Sequence, residues 1–349
     1  MQYLGFSNLT PFAAQSLLLA DQQGRDMFTC VVKGTFQLEL RGEGTLVALA
    51  DEQIPVCVDA IHYGDPASSS VKYESETALL KLGTDVVLIG HAHATGGRAT
   101  YLDVSVSVGP ARSIVRVFGD RVWTTTAGRW TASDPVPFES MPLVYERAFG
   151  GTDLTSPDPA VQEFEPRNPV GVGFISKKYG TLREGAPLPN LENPYEPIAS
   201  PSDRPTPAGF GFVGPHWQPR ASYAGTYDEA WQKKRMPLLP ADFDNRYYNA
   251  AATGLALNGF LRGGEPVEIV NAAPRGVLRF QLPIFEPYAT VRMKDGATHR
   301  FGTLLDTVIV NTDENRLFMV WRGSLPIQQR VHEMLWSKAE LAPGGRATQ

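Results

Sequence analysis

A proline- and glycine-rich segment from Phe149 to about Asn249 constrains the fold of this chain more than any other stretch. Fifteen of the chain's 28 prolines and ten of its 33 glycines fall between residues 150 and 249, along with Trp217 and Trp231. Proline fixes φ, glycine permits positive φ, and large aromatic rings need burial. A flexible linker would lack such rings, and a disordered segment would lack large apolar anchors. The composition therefore predicts a long, ordered, irregular segment that packs on a scaffold.

The residues on either side of this segment alternate as β-strands do. Apolar side chains recur at every second position from Phe28 to Leu40, which predicts a half-buried antiparallel strand with a bulge or bend at Gly34. The alternation returns in residues 102–108, and short strands separated by turn residues resume after Asn249. We therefore predict a mainly β fold of antiparallel β-sandwich or barrel-like units with few short helices.

The distribution of strands divides the chain into four parts. We predict an N-terminal β unit at 1–145, an irregular loop-rich segment at 146–249 packed on the body, a C-terminal β unit at 250–326, and a tail at 327–349 that can form a helix. The layout is compatible with one compact domain, and the similar strand order at both ends leaves a pseudo-duplication open. Within the irregular segment, the sequence TYDE at 226–229 matches a capping box and predicts a short helix, which the following tryptophan would dock on the body.

Charge and cysteine content argue against several classes of protein. The net charge of −5 argues against a nucleic-acid-binding protein, and the short basic clusters at 177–178 and 233–235 are interpreted as solvated faces. Cys30 and Cys57 are too few for a disulfide scaffold and indicate small buried residues in a reducing compartment. The first residues lack a signal-peptide pattern, and apolar runs fall short of about 20 residues, so we expect a cytoplasmic protein without membrane partners.

A glycine motif in the irregular segment matches a nucleotide-binding pattern by letter alone. Residues 209–214 spell G-x-G-x-x-G, but Pro207 precedes them and Pro215 follows. These prolines argue against the strand and the helix that a dinucleotide site needs on either side of its glycines. We interpret the motif as a glycine turn that presents Phe210 and Phe212 to a packing surface, and we expect no cofactor.

Histidines are the candidates for a metal site. His91 and His93 would lie on the same side of a strand, but zinc needs a third and usually a fourth ligand. His62 and Asp65 are candidates for those ligands, and nothing in the sequence fixes them nearby. We therefore interpret these histidines as ordinary polar positions and expect no metal ion.

Carboxylates of the irregular segment could in principle serve a hydrolase. Asp242 with Asp244, or Glu146 with Asp153, could supply the two carboxylates of glycosidase chemistry. Aspartates beside proline and asparagine are more often turn formers that accept local N–H groups, so we expect no catalytic residues. Arginines that stand beside aromatic residues are expected to hold loops in place, and these are Arg147, Arg220, Arg246 and Arg322.

Short motifs follow one another in a defined order along nearly the whole chain. They are GDRVW at 119–123, ERAFGG at 146–151, NPVGVG at 168–173, LPNL at 188–191, PAGFG at 207–211, WQPR at 217–220, GTYDEAW at 225–231, PLLP at 237–240, DFD at 242–244 and WR at 321–322. Each motif is short, but the ordered set is specific. With this set the chain resembles the bacterial domain-of-unknown-function family 2169 from Phe6 to Arg322.

The resemblance implies a function in protein secretion. Members of that family are encoded among type VI secretion genes, which implies an adaptor or chaperone that binds a toxic effector and helps load it onto the valine–glycine-repeat (VgrG) spike protein. It implies no catalysis, and the net charge already argues against a nucleic-acid partner. A β-rich carbohydrate-active hydrolase and a structural component of the secretion apparatus are the alternatives.

Aromatic and arginine side chains of the irregular segment are the candidate partner contacts. An effector chaperone needs a rigid frame that presents apolar and aromatic contacts within a polar rim. The alternative is that the same rings attach the segment to the scaffold. The hypothesis names Trp217, Arg220, Tyr223, Tyr227, Trp231, Phe243 and Tyr247.

Overall fold

The computed structural model describes residues 5–41, 44–154, 158, 161–176, 182–327 and 330–343, and the lysine pair 177–178 lies outside them. The described chain is mainly β with few short helices, which confirms the predicted fold class. Its strands are β1 (Gly5–Asn8), β2 (Ala13–Ala20), β3 (Asp26–Arg41), β4 (Gly44–Leu49), β5 (Ile61–His62), β6 (Val71–Tyr73), β7 (Asp85–Ile89), β8 (His91–His93), β9 (Tyr101–Val108), β10 (Ala111–Phe118), β11 (Trp123–Thr126), β12 (Arg129–Ala132), β13 (Ser140–Pro142), β14 (Phe149–Gly150), β15 (Val172–Gly173), β16 (Leu191–Glu192), β17 (Pro266–Val270), β18 (Val277–Gln281), β19 (Pro287–Met293), β20 (Thr298–Gly302), β21 (Leu304–Asn311), β22 (Arg316–Pro326) and β23 (Met334–Leu341). The α-helix α1 spans Glu229–Lys234, and 3₁₀ turns lie at Tyr145–Arg147, Arg220–Tyr223, Asn245–Tyr248 and Val331–Glu333.

Two sheets form the framework. The main sheet has the strand order β2-β3-β22-β21-β7, with β4 also paired to β3. The second sheet has the order β16-β10-β9-β17-β18. Strands from both ends of the chain share each sheet, since β22 pairs with β3 and β17 pairs with β9. Neither β unit predicted from the sequence therefore builds its own framework sheet.

A third sheet corrects the prediction for the tail. It has the order β1-β23-β19-β20, and its β23 occupies Met334–Leu341, where we expected that a helix could form. β23 pairs antiparallel with β19 and parallel with β1, so its main-chain groups find partners on both sides. These pairings are long-range, and they override the helix propensity of a segment rich in Leu, Lys, Ala and Glu.

The core lies between the sheets. Apolar side chains from one face of β3, including Phe28 and Val32, belong to the same buried cluster as Val104 and Val106 of β9. Gly34 lies in this face in regular register opposite Met319, so the predicted bulge is absent from the described pairing of β3 with β22. A Cβ at residue 34 would lie 2.9 Å from the Phe36 ring, which explains the glycine by lack of room.

The other face of β3 is also buried, so the half-buried prediction was wrong. Thr29, Lys33 and Thr35 are each at most 3% exposed. The loop after β4 covers them, for example through Gln53, whose side-chain amide hydrogen-bonds both main-chain groups of Thr35 at 2.9 Å. Buried ion pairs lie on this face, and they are Lys33–Glu76 at 2.9 Å, Lys81–Asp85 at 2.7 Å and Arg322–Asp306 at 2.6 Å.

Residues 146–249, the central segment, cover one edge of the main sheet. The edge strand β7 donates the N–H of Leu88 to the carbonyl of Phe210 at 3.2 Å. Just after the segment, Leu255 accepts the N–H of Val86 at 2.9 Å. Phe210 and Phe212 are at most 1% exposed, which confirms that the glycine turn directs them into a packing surface.

The short helix α1 has its N-cap two residues later than the capping-box prediction implied. Asp228 is the N-cap, and its carboxylate accepts the N–H of Trp231 at 2.7 Å. Thr226 instead donates its hydroxyl to Asp242 at 2.7 Å. The indole of Trp231 donates to the carbonyl of Leu238 at 2.8 Å, so this side chain ties the helix to the loop that follows it.

Candidate partner-binding surface

Trp217 is part of the packing that holds the central segment on the body. Its ring meets Tyr145 edge-on, with centroids 5.4 Å apart, and only 8% of the residue is exposed. Two glycines make room for these rings. A Cβ at Gly209 would lie 2.8 Å from the Tyr145 ring, and one at Gly214 would lie 2.9 Å from the Trp217 indole nitrogen.

Arg220 is buried as well and joins three parts of the chain. Its guanidinium donates to the carbonyl of Tyr247 at 2.8 Å and to that of Val213 at 2.9 Å, and it forms an ion pair with Glu74. Arg246 lies over the ring of Tyr223 at 4.3 Å. These contacts confirm that arginines beside aromatic residues hold loops in place.

The remaining candidate rings divide between core and surface. Phe243 is 8% exposed and packs on Tyr247, with ring centroids 5.6 Å apart. Tyr227 is 54% exposed and contacts Trp231 at 4.7 Å between centroids. Trp217, Arg220 and Phe243 are therefore buried in this conformation, whereas the others present surface. We call these others the ring surface, which comprises Tyr223, Tyr227, Trp231 and Tyr247.

The aspartates proposed for a hydrolase stabilise turns. Asp242 accepts the N–H and the hydroxyl of Thr226, and these hydrogen bonds lower the pKa of its carboxyl below the ordinary value. Asp244 accepts from the side chain and the N–H of Arg246, which lowers its pKa in the same way. Both groups stay ionised near neutral pH, as turn-forming acceptors do, and a general acid would need a raised pKa.

The histidine and acidic candidates are engaged locally. His91 and His93 have ring centroids 6.4 Å apart, and His91 is paired with Asp313 at 2.9 Å. Among the residues that the structure describes, no three His, Cys, Asp or Glu side chains come together as metal ligands. Asp65 accepts the N–H of Ala67, and Glu146 accepts the N–H and hydroxyl of Ser70.

A cleft of about 600 Å³ separates the central segment from the outer face of the second sheet. Its floor consists of β9, β10 and β17, where the register places Ser107 opposite both Arg112 and Glu268, and Ser105 opposite Ile114. We call this site the sheet cleft. Its walls come from the central segment and include Asn193, Tyr195, Glu196, Thr206, Pro207, Gln218 and Pro219.

Several polar groups in the sheet cleft have no partner in the described part of the chain. The hydroxyls of Ser105, Ser107 and Tyr145 make no hydrogen bond there, and Arg112 forms no ion pair there. Tyr145 is only 5% exposed, and burial raises the pKa of its hydroxyl, which keeps it a hydrogen-bond donor. Glu196 is held by hydrogen bonds from Thr206 and lacks an ion pair among the described residues. The cleft thus offers donors, an acceptor and walls of mixed polar and apolar side chains within the usual size of a binding pocket.

Sequence analysis missed this cleft. Ser105 and Ser107 alternate with buried valines, and the alternation was interpreted only as evidence of a strand. The available signal was the residue type, because a solvent-facing strand usually carries longer charged side chains than two serines. The walls could not be predicted, since they come from residues about 90 to 110 positions later in the chain.

The model of the bacterial protein family described as "Uncharacterized protein conserved in bacteria (DUF2169)" matches residues 23–322. The chain therefore belongs to this family. No curated protein and no solved structure matches it. None of the helices formed by the described residues is long and apolar enough to cross a lipid bilayer.

Proposed function

We propose that this member of the DUF2169 family is a cytoplasmic adaptor or chaperone that binds a type VI secretion effector and helps load it onto the VgrG spike. The sheet cleft is the observation that carries the proposal. It is an open groove of about 600 Å³ with unpartnered donors on its floor and walls of mixed polar and apolar side chains. These features suit an extended segment of another protein, whose main chain needs both donors and acceptors.

The charges of the cleft support a peptide ligand. Arg112 on the floor offers a cation without an ionic partner in the described chain, and Glu196 on a wall offers an acceptor. A peptide presents N–H, carbonyl and mixed side-chain groups along its length, so it can use both ends of such a groove. Proline residues in the walls keep the groove open without a cost in ordering when a ligand enters.

The ring surface supports a second area of contact. Tyrosine and tryptophan are enriched at binding hot spots because they bury much area at little conformational cost. Trp231 lies on α1, a helix without buried residues in the described structure, and Tyr227 lies two residues before the start of this helix. A partner that engages this helix would bury surface that the free chain leaves in water.

The proposal is tested by measuring affinity for the effector encoded beside this chain in its genome. Arg112→Glu reverses the unpaired charge, and Ser107→Tyr fills the cleft. We expect each to weaken binding by about 30-fold, which corresponds to about 2 kcal/mol at a hot spot. Arg129→Glu is the matched control, because Arg129 is also exposed but lies on β12, outside the cleft.

Ring-surface contacts are tested in the same assay. Tyr227→Ala is compared with Tyr101→Ala, since the two tyrosines are 54% and 56% exposed. Weakened binding for the first variant alone supports contact at α1. If every cleft and ring variant remains folded and binds the effector like the parent, the adaptor proposal is wrong. Quantifying the chain in purified sheath–spike particles separates a transient loader, which is absent, from a structural component, which is present in fixed ratio.

A further inference from the structure

The edge strand β2 is open along its outer side. β2 spans Ala13–Ala20 and ends the strand order of the main sheet, where it pairs with β3 alone. Apart from that pairing, its main-chain groups make no hydrogen bond to any residue that the structure describes. In an antiparallel sheet every second residue of an edge strand directs its N–H and C=O outward. About four residues of β2 therefore present unpaired main-chain groups.

This edge lacks the usual protection against pairing. Natural edge strands are shielded by lysine, proline, a bulge or a covering segment. The sequence AAQSLLLA contains no charged residue and no proline, and its register with β3 is regular throughout. Leu18 is 51% exposed on it. The opposite edge, β7, is covered by Phe210 and Leu255, so the same sheet is closed on one side and open on the other.

We propose that β2 pairs antiparallel with β2 of a second copy of this chain, so that the main sheet continues across a two-fold axis. Residues directly opposite each other in the two copies of β2 must point to the same face of the sheet. The two-fold axis therefore passes between the two copies of a single residue, which lies opposite itself. The longest overlaps place the axis at Ser16 or at Leu17. With the axis at Leu17, Ser16 lies opposite Leu18 and Gln15 opposite Leu19.

Charge favours a second copy as the occupant. Pairing β2 with itself places neutral residues opposite neutral residues at every position, so no like charges meet. The turn after β2 carries Asp21, but this carboxylate is already paired with Arg25 at 2.6 Å. Closed two-fold pairs are also the commonest assemblies of soluble proteins.

The mass of the protein in solution tests the proposal. We expect the parent chain to sediment as a dimer that dissociates on dilution. Leu18→Lys places a charge at the new interface and should yield monomers. Leu304→Lys is the matched control, because Leu304 is also 51% exposed and lies in the same sheet on β21, away from the β2 edge. A parent chain that stays monomeric at its highest soluble concentration, or a control that dissociates equally, overturns the proposal.

Cross-linking tests the register. Under mild oxidation, Ser16→Cys or Leu17→Cys should form a disulfide-linked dimer, since the two copies of the axial residue face each other within the reach of a disulfide. Ala13→Cys should not, because its copies lie at least six residues apart along the facing strands, which is about 20 Å. The parent chain, with its free Cys57, is the control. A dimer that cross-links at neither position 16 nor 17 also refutes the pairing.

Discussion

Replacing Arg322 with methionine tests the energetic role of the buried ion pairs. Arg322 is 4% exposed, and its Nε donates to the carboxylate of Asp306 at 2.6 Å. Its Nη1 donates to the carbonyl of Glu76 at 2.6 Å, which attaches the loop after β6 to the main sheet. Asp306 is only 1% exposed, so water cannot replace the lost guanidinium.

The expected loss of stability follows from the charge left behind. Removing one partner of a buried ion pair costs about 3–5 kcal/mol because the other charge stays buried without compensation. A typical domain is stable by about 5–15 kcal/mol, so Arg322→Met should remove a large part of the free energy of unfolding. Adding Asp306→Asn removes the stranded charge and should restore much of the lost stability. In the parent chain the hydroxyl of Thr307 donates a hydrogen bond to Asp306 at 2.8 Å, and the amide oxygen of asparagine can still accept it.

Urea unfolding followed by tryptophan fluorescence measures these differences, since Trp321 is buried beside the substituted residue. Arg246→Met is the control, because its ion pair with Asp244 is exposed to solvent, which screens the attraction between the two charges, and its loss should change stability little. The reasoning is refuted if Arg322→Met costs no more than this control, or if the double variant is as unstable as the single one.

Further predictions concern close packing, acid stability and thiol reactivity. Gly209→Ala should destabilise by about 1–3 kcal/mol in urea unfolding, whereas Gly211→Ala should cost less, because the added Cβ would lie 2.8 Å and 3.6 Å respectively from the Tyr145 ring. Burial alone would raise the pKa of Glu165, but hydrogen bonds from the arginine two residues later hold it below the ordinary 4.5. The ionised carboxylate thus stabilises the fold above pH 4.5, and Glu165→Gln should flatten the loss of stability measured as pH falls below that value. Burial, aided by nearby acidic charge, raises the pKa of Cys57 from 9.0 to about 11, so iodoacetamide at pH 8 should label the native thiol about 100-fold more slowly than the unfolded one.

Local patterns in the sequence predicted the strands well, but not what covers them. The alternation of β9 and β10 was sufficient to predict these strands, because period-2 patterning is a property of each strand alone. The burial of Lys33 and Thr35 depends on two covering loops, one after β4 that contains Gln53 and one after β6 that contains Glu76, and neither has a periodicity of its own. Sequence patterns contain no signal for such a cover, so a strand face made of polar residues can be buried inside the protein.

The candidate site shows the same limit. The aromatic residues of the central segment could be named from composition, but their exposure depends on where glycine leaves room for a ring. Trp217 is buried because Gly214 lets its indole approach the chain. Tyr227 precedes α1, a helix without buried residues, and is 54% exposed. The sheet cleft lies between segments far apart in sequence, and only the fold brings them together.

The covering of β7 has a consequence for any assembly formed through the main sheet. A sheet with two open edges can add copies without limit, and the product is a fibre. Here Phe210 and Leu255 occupy the hydrogen-bonding positions at one edge, so each copy can join the sheet of only one neighbour. If a second copy pairs at β2, the joined sheet has a covered β7 at each end. The covered edges then leave no position for a third copy, so the assembly stops at two.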